Sequence, residues 1–360
     1  MKILIYGAGP LGSVFAARLT QAGHDVALLA RGQRLADLRQ HGVILENSVT
    51  GEREITPVKV AEALEPDDDY ELVMVVMRKN HALQILPVLA ANKRIPTMLF
   101  MMNNAAGPQE FVEAVGKERV MMGFPLPGGK REDPVIYTVP DIEWRPWELP
   151  IGEVDGSITP RTRRVAAVLE DMKGYKVDIR TDIDAWLKHH VAVVGVMSGA
   201  IYAAETDLDR LVRTRDALVL GTRAMKEATR ALENAGFPIT PPLLRPIVRL
   251  PEPLLVALLK PLLGMESLEA SLQGHAQAAR DEMQHILGEL REVIDTTGVE
   301  TPSLDRLYPH LKPETPPLPD GSKRIPLRWR ELAIPALITT GALAGIVFLW
   351  RLKRSHDANA

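Results

Sequence analysis

The sequence predicts an α/β first half, an all-helical second half and a separate apolar helix at the carboxy terminus. From residue 1 to about 178, short β-rich runs alternate with amphipathic stretches, the signature of a parallel sheet flanked by helices. Beyond about residue 183 the strand signals stop and long helical patterns take over. The run Leu332–Trp350, "LAIPALITTGALAGIVFLW", carries no charge, and at ~1.5 Å of rise per residue it just spans a ~30 Å hydrocarbon layer.

The elements follow in order. "KILIYG" reads as the first strand, "LGSVFAARLTQAG" as a helix, "DVALLA" as the second strand and "QRLADLRQHG" as the next helix; "LVMVVM" and "TMLFMM" are further buried strands. This gives a doubly wound, nucleotide-binding type of domain over 1–178. Helical patterns at 183–204, 208–236 and 266–297 make a second domain over 183–311. "HLKPETPPLPDGSKRIP" is proline-rich and polar, so 312–328 reads as a stiff tether, leading to a transmembrane helix over 329–351. Trp329 and Trp350 mark its two interfaces. Lys323, Arg324, Arg328 and Arg330 before it, against Arg351, Lys353 and Arg354 after it, place the body on the cytoplasmic face of a membrane with a single-pass anchor. Gly341 and Gly345 have the spacing that pairs two such helices into a homodimer. The proline-broken "LPEPLLVALLKPLLG" at 250–264 is too short to span and reads as core packing, with a lid or a membrane-resting surface as alternatives.

Composition narrows the function. A 360-residue chain with 46% hydrophobic residues, 25% charged residues and a net charge of −3 is ordinary globular protein of about two domains, not a nucleic-acid binder. Without cysteine there are no disulfides, thiolate metal sites or cysteine nucleophiles. The nine histidines lack HExxH spacing, so no metal is expected. "MKILIYGAGP" enters a strand directly, without the pattern of a cleaved leader.

"GAGPLG" puts Gly7, Gly9, Pro10, Leu11 and Gly12 between the first strand and first helix. The first glycine permits the turn, the second admits a pyrophosphate and the third allows close helix–strand packing, which is the Rossmann-type dinucleotide fingerprint. An NAD site needs a carboxylate at the end of the second strand; here Ala30 is followed by Arg31, which would attract a 2′-phosphate, with Arg34 assisting. The cofactor expected is therefore NADP(H).

In "DIDAWLKHHVAVVGVMSGAIYAAE", Lys188 precedes the uncharged run Val191–Ala204. It is either a first-turn lysine reaching water or a partly desolvated acid. With "YGAGPLG", "LLARGQRLADLRQHG", "NNAAG" at 103–107, "AWLKHHVAVV" and "GVETPSLDRLY" at 298–308, the chain resembles the ketopantoate reductase family over about residues 1–311. The resemblance implies NADPH-dependent reduction of a 2-oxo acid to its 2-hydroxy acid, as in pantothenate biosynthesis. It implies Lys188 as proton donor, Glu282 as the acceptor of the substrate hydroxyl, and Asn104 near nicotinamide and substrate. It also implies a cation beside the cofactor at Arg78, or at Lys79 if the register slips. Two departures stand out. Family asparagines on the face of Lys188 are replaced by Ala192 and Val196, and the family serine by Ala270, with Ser271 next to it. His189, His190 and His275 are candidate replacements. Losing these partners costs about 1–3 kcal/mol per unpaired group, so the pocket favours a more apolar substrate. The readings are a reductase of a ketopantoate-like acid, a reductase of a bulkier lipophilic ketone at the membrane, or a non-catalytic NADP-binding protein.

Overall fold

The computed structural model describes residues 1–139, 146–264 and 274–333. Contacts divide the chain into two units, Met1–Val191 with Gly274–Val293, and Ala192–Gln273 with Ile294–Ala360.

The first unit holds twelve described strands: β1 (Lys2–Tyr6), β2 (Asp25–Leu29), β3 (Val43–Asn47), β4 (Arg53–Thr56), β5 (Lys59–Ala61), β6 (Leu72–Val75), β7 (Met98–Met101), β8 (Val120–Gly123), β9 (Gly129–Glu132), β10 (Val135–Thr138), β11 (Trp147–Glu153) and β12 (Tyr175–Ile179). Eight of them form one sheet in the order β12-β11-β8-β7-β6-β1-β2-β5. All its pairs are parallel except β8 with β11. Helices α1 (Pro10–Gln21), α2 (Gly32–His41), α3 (Lys79–Ala91), α4 (Gln109–Val115) and α5 (Pro160–Glu170) accompany it. The central strand is apolar on both faces: Ile3 and Ile5 join one core cluster, Leu4 and Tyr6 the other. Because β2 and β6 lie on opposite sides of β1, the winding direction reverses there. The carboxyl ends of β1 and β6 thus form the switch point where such sheets bind ligands.

A second sheet, β4-β3-β10-β9, was not expected from the sequence. It joins residues 43–56 to residues 129–138 through the parallel β3–β10 pair, with antiparallel neighbours on either side.

In the second unit, α6 (Ile183–Ala203), which starts in the first, ends among α7 (Leu208–Arg213), α8 (Arg215–Asn234), α9 (Leu244–Arg249), α10 (Glu252–Leu263) and the helix Pro302–Leu307. The pattern read as one helix over 208–236 is two, divided at the buried Thr214, which caps the first with its N–H on Arg210 O. Residues 312–328 are not a free tether. Leu318 N–H donates to Ala203 O (2.9 Å), Asp320 takes a bidentate pair from Arg213 (2.7 and 2.9 Å), and the buried Asp216 accepts the N–H groups of Arg324 (2.9 Å) and Ile325 (2.8 Å). Proline removes its own donor but leaves those of its neighbours, and these bind the segment down.

The membrane anchor and the membrane location that followed from it are corrected. Among the described residues no helix is long and apolar enough to cross a membrane. The described start of the expected span, Trp329–Ala333, is a single 3-10 turn. Residues 334–351, with Gly341 and Gly345, lie outside the described residues.

Candidate functional site

The glycine loop is built as its spacing requires. Gly7 turns at φ +127°, and a Cβ on it would stand 2.3 Å from Val76 O, so the turn after β1 packs directly on the end of β6. A Cβ on Gly12 would fall 1.9 Å from Gly7 O, which fixes the close approach of α1 to the turn. Above Gly9, the N-cap of α1, a Cβ would meet nothing within 4 Å. This open space lies at the amino end of a helix whose first position is Pro10, followed by Leu11, where unpaired amides stabilise a phosphate. The cradle fits a dinucleotide.

Arg31 is exposed at the N-cap of α2 and donates to Tyr6 Oη (3.3 Å), so it stands at the carboxyl ends of β1 and β2. Arg34 does not share that role. It is buried and donates to Ser13 Oγ (3.0 Å) and Pro134 O (3.2 Å), tying α2 to α1 and to the residue before β10. Sequence reasoning missed Arg131, which β9 brings to the glycine loop, where it donates to Ala8 O (3.3 Å).

A second cluster gathers at the carboxyl ends of β6 and β7, with the start of α6 and the helix Arg280–Asp295, all in the first unit. Of the two adjacent cations, Lys79 is the one buried in it. At 0% exposure its ammonium pairs with Glu289 and Glu110 (3.1 Å), donates to Asn104 Oδ1 (2.9 Å) and lies 5.8 Å from the Phe111 ring centre. Arg78 turns to the amino end of the same helix, Arg280–Asp295, donating to Asp281 Oδ1 (2.9 Å) and to Ala278 O before it (2.5 Å), with Nε 3.9 Å from Glu282. Asn104 brackets its own loop: its Oδ1 accepts from Gly107 N–H (3.0 Å) and its Nδ2 donates to Gly107 O (2.8 Å). Gly107, at φ +97°, leaves room for the Lys188 ammonium, which would be 3.2 Å from a Cβ there.

Lys188 is 2% exposed and paired with Asp184 one turn earlier on α6. Burial pushes its pKa below the usual lysine value, and the nearby Lys79 adds to that, while Asp184 and Glu289 work the other way. Glu282, 3% exposed, accepts from Asn103 Nδ2 (2.9 Å). Asn103 Oδ1 is buried with no hydrogen-bond partner, an open acceptor at the end of β7.

Lys79, Asn104, Gly107 and Lys188 are therefore joined in one chain of contacts, and Glu282 joins Asn103 and Arg78. Ala192 and Val196 are fully buried and belong to the second unit. His189 is fully buried; His190 stacks on Trp186 with centroids 5.0 Å apart. Ala270 and Ser271 lie outside the described residues, as does the side chain of His275. Asp184 and Glu289 were missed, although spacings of four from Lys188 and seven from Glu282 put each on its partner's helix face.

Residues 3–142 match the family model described as ketopantoate reductase PanE/ApbA. A 2-dehydropantoate 2-reductase of Mesorhizobium japonicum is 28% identical over 272 residues, covering 66% of this chain and 78% of its own. Among solved structures, the 2-dehydropantoate 2-reductase of Geobacter metallireducens superposes with a TM-score of 0.71 at 18% identity, over 88% of this chain and 100% of that one. The ternary structure of D-mandelate dehydrogenase with NADH and anilino(oxo)acetate gives 0.69 at 16% identity, over 86% of this chain and 97% of that one. The fold is thus a Rossmann-like α/β domain with a helical second part, and the curated relatives named here are 2-dehydropantoate 2-reductases, which is in line with the ketopantoate reductase resemblance over part of the chain.

Proposed function

We propose that this protein is an NADP(H)-dependent reductase that converts a 2-oxo acid into its 2-hydroxy acid. The observation that carries the reading is a lysine ammonium held out of water against the Asn104–Gly107 loop, at the ligand-binding edge of a dinucleotide domain. Gly7, Gly9, Pro10, Leu11 and Gly12 would hold the pyrophosphate, and Arg31 the 2′-phosphate, since a guanidinium pairs with phosphate and no acid follows β2. When bound, the dihydronicotinamide supplies a hydride. Lys188 Nζ then gives its proton to the carbonyl oxygen, and the ammonium stabilises the developing alkoxide beforehand. Burial supports this role by weakening the hold of Nζ on its proton. Asp184, about one-third exposed, links the amine to solvent for reprotonation. Glu282, fixed by Asn103, is an acceptor for a hydroxyl of the substrate or of the 2-hydroxy acid product, and Asn104 orients the loop beside it. Ala192 and Val196 offer no hydrogen bonds, which supports a 2-oxo acid with an apolar side chain over hydroxylated ketopantoate.

The test is NADPH oxidation by the full chain with ketopantoate and with alkyl and aryl 2-oxo acids, the product identified as the 2-hydroxy acid by mass spectrometry. Tight NADPH binding with no turnover on any 2-oxo acid would establish a non-catalytic binding protein instead.

A further inference from the structure

Two buried carboxylates, Glu282 and Glu289, lie two turns apart on the helix Arg280–Asp295. The first holds Asn103; the second has a different set of partners. Glu289 Oε2 accepts the N–H groups of Ala105 (3.1 Å) and Ala106 (3.2 Å), while Oε1 pairs with Lys79 and lies 3.2 Å from His285 Nε2. Through Lys79 and Asn104 the same carboxylate reaches Gly107, and Gly107 abuts the Lys188 ammonium.

The site therefore contains two ammoniums withdrawn from water, Lys79 at 0% and Lys188 at 2% exposure. Three carboxylates oppose them: Asp184 on the helix of Lys188, Glu110 on α4, and Glu289. The side chains of Asp184 and Glu110 are 32% and 46% exposed, while that of Glu289 is 9% exposed; Asp184, in direct contact, is the stronger charge on Lys188, with Lys79 and Glu289 acting after it. His285 faces Glu289, and His189 and His190 adjoin Lys188 in the chain.

We propose that Glu289 is a positioning residue whose carboxylate fastens the 103–107 loop and neutralises Lys79, and thereby sets how firmly Lys188 holds its proton. The proposal rests on the reading of Lys188 as the acid. The opposing effects of Lys79 and Glu289 on Lys188 agree with it.

The test needs no turnover. In full-length, ligand-free protein carrying 13C at the lysine ε position, the Lys188 signal is identified by its loss in Lys188→Arg and titrated by NMR. Glu289→Gln is expected to lower the Lys188 midpoint by about half a pH unit or more, because Lys79 is left with only the half-exposed Glu110 as its counter-charge. Lys79→Met is expected to raise it, and Glu289→Gln with Lys79→Met to return it toward wild type. An unmoved midpoint in Glu289→Gln, or a double variant shifted as far as Glu289→Gln alone, overturns the proposal. Should Glu289→Gln fail to fold, an unmoved midpoint in Lys79→Met overturns it equally. A failure of the reductase reading shows separately, as absence of turnover in the wild type.

Discussion

Lys188→Met removes the ammonium and keeps an unbranched side chain of similar reach, so the packing of α6 should survive. A positioned general acid contributes about 10²- to 10⁴-fold, or roughly 3–5 kcal/mol of barrier. The loss should lie toward the upper part of that range, since the 2%-exposed site excludes the water that would otherwise deliver a proton. The assay is the steady-state rate of NADPH oxidation with the best 2-oxo acid, beside NADPH affinity measured by fluorescence. The rate should fall and the affinity should hold, because the glycine loop is built without Lys188. Lys188→Arg should fail as well, since a guanidinium does not release its proton in this pH range. The sign of the pH effects follows from burial. A lysine pKa held below its ordinary value gives a reduction rate that declines as pH rises through that lowered value, earlier than an exposed lysine would. The same depression means that the unfolded chain binds the proton more tightly, so below the folded-state pKa the ammonium costs stability. Lys188→Met should therefore melt no lower than wild type at neutral pH. A variant within about three-fold of wild-type kcat/KM would refute the assignment of Lys188 as acid.

Three further outcomes are expected. Arg31→Glu should weaken NADPH about 10- to 100-fold, the worth of a charge-assisted pair, with much less effect on NADH; equal losses for both cofactors would remove Arg31 from the 2′-phosphate. Gly12→Val places carbon 1.9 Å from Gly7 O, so dinucleotide binding should vanish and the melting temperature fall; calorimetric titration with NADPH checks it. Asp216→Ala strands the N–H groups of Arg324 and Ile325 and should cost about 1–3 kcal/mol in urea unfolding. Burial would raise the Asp216 pKa, but the N–H groups of Ile325 and Arg324 outweigh it and hold the carboxyl below its usual 3.8. Its contribution should therefore be present above that value and lost as pH falls through the lowered one, and the difference between variant and wild type should close in acid.

The first unit is legible in the sequence where one strand or one turn speaks for itself. A run such as Ile3–Tyr6 is apolar on both faces because it is buried on both, and Gly12 is forced by a contact only five residues back, on Gly7 O. The small sheet is not legible in the same way. β9 is exposed along its length, so no periodicity announces it, and it gains its place as a strand by pairing with β10. Arg131 consequently reaches the glycine loop from more than a hundred residues away with no local signal. The 312–328 segment misled for the opposite reason. Its composition is that of a spacer, yet Asp216 and Arg213 supply partners for backbone and side chains that composition treats as solvated. Carboxylates at helical spacing from Lys188 and Glu282 were in plain view, but charged residues at such spacings decorate most exposed helices, and only their pairing with the buried Lys188 and Lys79 distinguishes Asp184 and Glu289.

Under the proposed function, that distribution of contacts would let a reaction persist while its substrate changes. The named neighbours of the Lys188 ammonium, Asp184, Lys79, Glu289 and Gly107, all belong to the first unit, as does the cradle that fits the dinucleotide. Ala192 and Val196, on the same helix one and two turns further on, belong to the second. On the proposed reading, the absence of polar groups at 192 and 196 bears on which side chain a 2-oxo acid can carry and leaves the charges around the lysine where they are. Proton delivery and substrate choice are, on that reading, assigned to separable parts of one helix. In that arrangement substitutions at 192 and 196 should act on KM among substrates, and substitutions at 184 and 289 on the pH dependence of kcat.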